Sequence, residues 1–150
     1  MISKQLVGYT IAEIKARITA QGEAMMKGEQ IDTAWRFGFR GDYSLIEEMI
    51  RPEYLCLDHR MGLEANFESE KVLMKTMSSM VPRPCKILYE NEEIVVTRWF
   101  SKFKETDLRY IAVMSTFHVR EGKIFRQEVV RELLDYDLSE GQDWNWEDYE

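Results

Sequence analysis

Apolar residues Ile11, Ile14 and Ile18 fall three and four apart with Lys15, Arg17 and Gln21 between them, the spacing of one apolar stripe on a helix. That predicts an N-terminal amphipathic helix. A second helical run carries Met25, Ala34, Trp35, Phe37 and Phe39 and ends at Gly41, a residue suited to a helix C-cap. Asp42 is placed as the N-cap of a short helix with Leu45, Ile46, Met49 and Ile50 on its apolar face. It stops at Arg51-Pro52, because the residue before proline avoids the helical region. Tyr54 to Asp58 reads as extended. Ser69 caps a third helix with Glu70 in its first turn, and Leu73, Met77 and Met80 stack along it until Pro82 and Pro84.

From Cys85 the period becomes that of strands: Ile87 to Tyr89, Ile94 to Phe103, Leu108 to Val119 and Lys123 to Leu133. Helices first and strands after predict an α+β structure, an antiparallel sheet covered on one face by helices. Arg120-Glu121-Gly122 fits a three-residue hairpin loop with a bulged glycine, so Val119 opposes Lys123. Phe117, Ser115, Val113 and Ile111 then oppose Phe125, Gln127, Val129 and Arg131 on the core side. His118, Thr116, Arg126, Glu128 and Glu132 make a polar outer face. A two-residue turn at Glu121-Gly122 shifts the partners by one and mixes the faces, so the bulged register is preferred.

With 150 residues and 45% hydrophobic content, the chain suits one compact domain. The formal net charge of -7 repels phosphate backbones, and no nucleic-acid partner is expected. Cys56 and Cys85 have neither metal-type spacing nor the number needed for a disulfide framework, and read as reduced thiols in a cytoplasmic protein. No signal-peptide core and no apolar run of membrane-spanning length occurs, so no membrane partner is expected. A Gly-rich phosphate loop, a zinc-ligand set and a serine nucleophile motif are all missing, and chemistry without metal or cofactor is expected.

Several pieces occur in a telling order: the aromatic helix closing in Gly41-Asp42, the short helix to Pro52-Glu53-Tyr54, the Asp58-His59 pair followed by Gly62, the helix ending near Pro82, and the hairpin from Phe117 to Ile124. From Trp35 to Tyr136 this resembles the NTF2-like superfamily in its SnoaL-like branch, a superfamily that includes ketosteroid isomerase, scytalone dehydratase, limonene epoxide hydrolase and polyketide cyclases. The resemblance implies a cone: a curved antiparallel sheet wrapped around about three helices, here with an extra N-terminal helix, open at one end as a pocket for a small, largely apolar molecule. With the N-terminal helical extension counted in, residues 1–137 are expected to form the single domain and 138–150 an acidic aromatic tail. It also implies a homodimer through the outer sheet face, with which Met114 and Val130 are compatible.

The isomerase members pair a carboxylate base before a Gly-containing turn with a helical tyrosine and a strand carboxylic acid. Here the resemblance puts His59 at the base position with Asp58 beside it, Ala34 in place of the tyrosine and Ser115 in place of the acid, so that mechanism does not carry over. Imidazole titrates near neutrality, which makes His59 the candidate proton acceptor. The competing reading, a surface or hydrogen-bonded loop histidine, is the commoner one. Asp58 and His59 are adjacent and point to opposite faces if the strand continues. Arg131 is the second candidate catalytic group, able to bind a carboxylate or steady an enolate; paired with a rim carboxylate, it is structural. Ser115, Gln127, Phe117, Val129 and Trp99 face the expected pocket; Tyr54 offers it a hydroxyl, and Met74, Met77, Met80 and Leu73 an adaptable wall, with simple core packing the commoner role for all five.

Two functions follow: a cofactor-free lyase, isomerase or cyclase acting on a hydrophobic ring or carbonyl compound, or a non-catalytic binding or assembly module on the same fold. Five carboxylates of the acidic surplus lie in 138–150 with Trp144, Trp146 and Tyr149, and the remainder carries a net charge of only -2. Aromatic residues are unusual in a solvating acidic segment, which predicts that the tail docks on the domain or on a partner subunit, near the cone mouth.

Overall fold

The computed structural model describes Thr10, Ala12, Glu13 and residues 26–104 and 109–150. The helix expected over Ile11, Ile14 and Ile18 lies outside these residues. Three helices, α1 (Gly28–Phe39), α2 (Ser44–Met49) and α3 (Phe67–Thr76), intersperse with β1 (Ile50–Asp58), β2 (Leu63–Ala65) and β3 (Met80–Pro82). The strands β4 (Lys86–Glu90), β5 (Ile94–Phe103), β6 (Arg109–Arg120) and β7 (Lys123–Leu134) follow, then a short 3-10 turn at Trp146–Tyr149.

Helix α1 buries Ile31, Ala34, Trp35 and Gly38 along one face, against Leu45, Ile46, Met49 and, from the sheet, Val95, Phe117, Val119 and Ile124. Gly38 marks the tightest crossing: a Cβ there would stand 2.7 Å from Ile46 Cδ1 and 3.2 Å from Met74 Sδ, so the three helices meet over a bare backbone. Helix starts differ slightly from expectation. Asp42 accepts from the Ser44 amide at 3.0 Å, and α2 begins two residues after it. For α3 the cap is Asn66, whose Oδ1 accepts from the Ser69 amide at 3.0 Å. Ser69 is therefore inside the helix, because the residue that caps it, Asn66, lies three positions earlier.

The sheet is curved and unclosed, ordered β2-β1-β7-β6-β5-β3, with β4 also paired to β5. It is mixed rather than wholly antiparallel, because β1 runs parallel to β7. The chain between them passes through the rest of the sheet and returns in the same direction, as a parallel pair requires. Pro52 lies where the β1–β7 register is interrupted between Ile50 and Leu55, the position in a strand that a residue without an amide hydrogen tolerates.

The β6–β7 hairpin departs from expectation in an instructive way. Its turn has two residues, with Glu121 at φ 52° and Gly122 at φ 74°, so Arg120 faces Lys123 and Val119 faces Ile124. A bulge then makes Phe125 the extra residue, and beyond it Phe117 faces Gln127, Ser115 faces Val129 and Val113 faces Arg131. The bulge restores the alternation that the turn alone would spoil. Ile124, with no exposed surface, takes the core place expected for Phe125. Phe125 instead packs outside, under the Arg120 guanidinium at 4.7 Å.

The acidic tail docks on the domain. Trp144 and Trp146 bury themselves with Val81 against Phe100, Tyr110 and Leu138, on the face of the sheet away from the helices. Trp146 Nε1 donates to Asp137 Oδ1 at 2.9 Å, and the Arg83 guanidinium lies 4.2 Å from the Trp144 ring centre. No helix among the described residues is long and apolar enough to cross a membrane.

Candidate functional site

Alternation along β5, β6 and β7 turns Thr97, Trp99, Ser115, Phe117, Gln127 and Val129 toward the helices. With α1, α3 and the end of β1 they line a half-open cavity of about 280 Å³. Its wall is mostly apolar: Trp35 stands edge-on to Phe117 at 5.1 Å, Phe39 lies 5.8 Å from Trp99, and Met74, Met77 and Met80 complete it. Met61 and Leu63, both well exposed, line its edge.

Three polar features interrupt this wall. The first is a relay: the Tyr54 hydroxyl donates to Gln127 Oε1 at 2.7 Å, and Gln127 Nε2 donates to Ser115 Oγ at 3.3 Å. Ser115 Oγ is thus an acceptor from the amide, which leaves its own O–H to donate to a guest in the cavity.

The second is a set of ion pairs. Arg131 binds Asp58 through Nη2, with both side chains mostly buried, and Arg36 Nη2 lies 3.2 Å from Asp32 Oδ2. Cys85 Sγ donates to Asp32 Oδ1 at 2.9 Å. Each charge here has an opposite charge beside it, as burial demands. Burial pushes the Cys56 and Cys85 thiols up from their ordinary range, so both stay protonated and neither is an activated nucleophile.

The third is Glu70. Phe67, Glu70 and Met74 are the buried residues of α3, spaced three and four apart, so Glu70 sits on the face turned inward. Only 7% of it is exposed, and its Oε2 is buried without a hydrogen-bond partner. Burial pushes the carboxyl up to about 7, against the smaller opposing pull of the Tyr54 hydroxyl and the Cys56 thiol.

No family model matches the sequence, and no curated protein matches it either. Solved structures do match its shape. A loop-truncated variant of IdmH superposes with TM-score 0.59 at 14% identity, over 69% of this chain and 90% of that one. The wild-type form of IdmH is described as a candidate polyketide cyclase from Streptomyces antibioticus. A candidate SnoaL-like polyketide cyclase from Jannaschia sp. CCS1 gives 0.58 at 10% identity, over 73% and 89%. An NTF2-like protein of unknown function from Burkholderia xenovorans LB400 gives 0.53 at 14%, over 75% and 86%. The chain has the NTF2-like fold.

Within this NTF2-like cone the expected site residues separate. Asp58, Trp99, Ser115, Phe117, Gln127, Val129 and Arg131 all reach the cavity wall. Tyr54 stands behind it and acts through Gln127. Arg131 finds its partner in the β1 carboxylate of Asp58 rather than in a helix. His59 is the exception. It follows β1 in the turn, its side chain is 47% exposed, and its Nε2 lies 3.1 Å from Glu128 Oε1 on the outer face, where His118 Nε2 meets the other oxygen at 2.7 Å. Alternation explains this: Asp58 points in, so His59 points out, and the cavity loses its expected base. Ala34 is wholly buried and offers no polar group.

Glu70, Asp32 and Arg36 were not among the expected site residues. A signal for Glu70 existed in the period of α3, since Phe67, Glu70 and Met74 share one face; reading Glu70 as a first-turn charge compensating the helix dipole hid it. Among the described residues, no three histidine, cysteine or acidic side chains are grouped as a metal ion would need.

Proposed function

We propose that the cone binds a small, largely apolar ring or carbonyl compound and acts on it by acid–base chemistry that needs no cofactor, as a lyase, isomerase or cyclase does. The observation that carries this reading is the half-open apolar cavity with Ser115 in its wall at the end of the Tyr54–Gln127 relay, where its O–H is left for a guest. A guest oxygen is the complement to that hydroxyl, and aromatic and methionine side chains are the complement to a ring. The SnoaL-like cyclases that share the fold support the substrate class at the level of analogy.

The test is a binding screen of fused-ring phenols and enolisable ketones, read by quenching of Trp35 and Trp99 in the cavity wall. Saturable binding that Ser115→Ala weakens is the expected result. Absence of binding across the panel overturns the reading, and binding without turnover of any ketone favours a carrier or assembly role instead. A homodimer belongs to the same reading: Met114 pairs with Val130 across the outer face, 47% and 57% exposed, and sedimentation tests it.

A further inference from the structure

The cavity holds more Brønsted groups than the resemblance assigns, and most are already committed. Asp58 is tied to Arg131 and Asp32 to Arg36, so those carboxylates are each occupied by a neighbouring cation. The two thiols are pushed up by burial, and Tyr54 is a buried phenol raised well above its usual value by burial and by the nearby Glu70. His59 lies outside. One acid is left over: Glu70, in the cavity wall, with a buried oxygen that bonds to nothing.

We infer that Glu70 is the group that moves protons in this cavity, taking one as a carboxylate from a carbon beside a ligand carbonyl and returning it as a carboxylic acid. This rests on the reading that the cavity takes an apolar carbonyl compound. Among the groups that share the site with it, the Tyr54 hydroxyl and the Cys56 thiol pull it toward the carboxylate by less than burial pushes it the other way. From β1 come the neutral Tyr54 and Cys56, and Asp58 is neutralised by Arg131 of β7. Asp32 and Arg36 of α1 neutralise each other, and Cys85 is a neutral thiol bonded to Asp32. Arg83, the other cation in the wall, stacks on the Trp144 ring, and burial leaves Glu70 poised near neutrality, where both forms are populated.

In the step itself, the Glu70 carboxylate bonds the α-hydrogen as its C–H bond breaks. That electron pair forms the new C=C bond, and the carbonyl π pair moves to oxygen. The resulting enolate oxygen accepts from the Ser115 O–H. The Glu70 carboxyl then returns the proton to carbon, at the same or a conjugated position, so nothing is oxidised or lost. Tyr54 is a positioning residue: its hydroxyl adjoins Glu70 and donates to Gln127, so it holds the acid and the donor relay in one frame.

The probes are β-tetralone, an enolisable bicyclic ketone, and β-naphthol, a planar mimic of its enol. In heavy water the protein should wash the α-hydrogens out of β-tetralone, at a rate that rises with pH along one ionisation. Glu70→Gln should lower that rate by ~10²–10⁴-fold while β-naphthol affinity holds, and Glu70→Asp should restore part of it. A carbon NMR titration should show one glutamate carboxyl, missing in Glu70→Gln, that titrates near neutrality. Exchange at the wild-type rate in Glu70→Gln, or a Glu70 titration in the ordinary carboxylate range, overturns the inference. So does wild-type protein that binds β-naphthol yet exchanges nothing. Failure to bind either probe falls instead on the reading of the cavity. Thermal melts of both variants confirm that the loss is not one of folding.

Discussion

Glu70 and Glu128 are the same residue type, each flanked by two hydrogen-bonding side chains, and the fold drives them in opposite directions. Glu128 stands on the outer face of β7 with His118 and His59 on its two oxygens, and the bonds from His118 first and His59 second pull its carboxyl below the ordinary range. Glu70 stands inside with a phenol and a thiol for neighbours, and burial pushes it up to about 7. Two imidazoles in solvent make a carboxylate easier to ionise; a dry wall of methionine and aromatic groups makes it harder. Residue type alone points to the histidines as the groups that titrate near neutrality. Placement inside the cone gives Glu70 that range instead.

The largest effect expected from breaking this contrast is at Arg131. Arg131→Ala leaves Asp58 buried without its cation and should cost about 3–5 kcal/mol in urea unfolding, while Arg131→Met with Asp58→Asn should recover most of it. Next is the pH dependence set by Glu70. Its folded value of about 7 lies above the ordinary 4.5, so the stability tied to it is complete below 4.5 and is lost as pH rises through 7. Wild-type protein should lose about 3 kcal/mol relative to Glu70→Gln over that window, measured by parallel denaturant melts. A curve for Glu70→Gln with the same slope as wild type would erase the distinction between the two glutamates.

Tyr54→Phe is a smaller change. It strands Gln127 Oε1 and should cost about 1–3 kcal/mol. It also removes a group that pulls Glu70 down, so the Glu70 midpoint should move further up. The smallest effects belong outside. His118→Ala and His59→Ala should each change stability by no more than about 1 kcal/mol, with ligand binding in the cavity untouched. Glu128 is depressed, so its stabilising contribution exists above the ordinary 4.5 and fades as pH falls through its lowered value. His118→Ala should weaken that acid-side loss more than His59→Ala does, because its bond is the shorter.

The strand cores, the helix faces and most of the cavity wall were legible in the sequence because alternation and helical period record burial directly. Trp99 facing in with Thr97, and Ser115 with Phe117, needed only the period of two. The hairpin shows the limit. A turn error and a bulge cancel beyond Phe125, so the inward set from Gln127 onward came out right while each cross-strand partner came out shifted. The three-residue strands β2 and β3 were too short to leave a pattern. The parallel β1–β7 pairing left none because no local rule records which distant strand lies alongside. The reach of Arg131 for Asp58 is a consequence of that pairing.

The parallel pairing of β1 with β7 also has a temporal meaning. Tyr54–Gln127 and Arg131–Asp58 both join residues 73 apart in sequence, across the parallel seam of the sheet, which no hairpin can close. Chain entropy opposes long loops, so local hairpins such as β6–β7 nucleate early and a seam of this span forms late. The donor relay and the buried ion pair are therefore absent from every partly folded species that lacks the seam. A guest held by Ser115 at the end of the relay therefore needs the seam in place, and its binding would favour the closed seam.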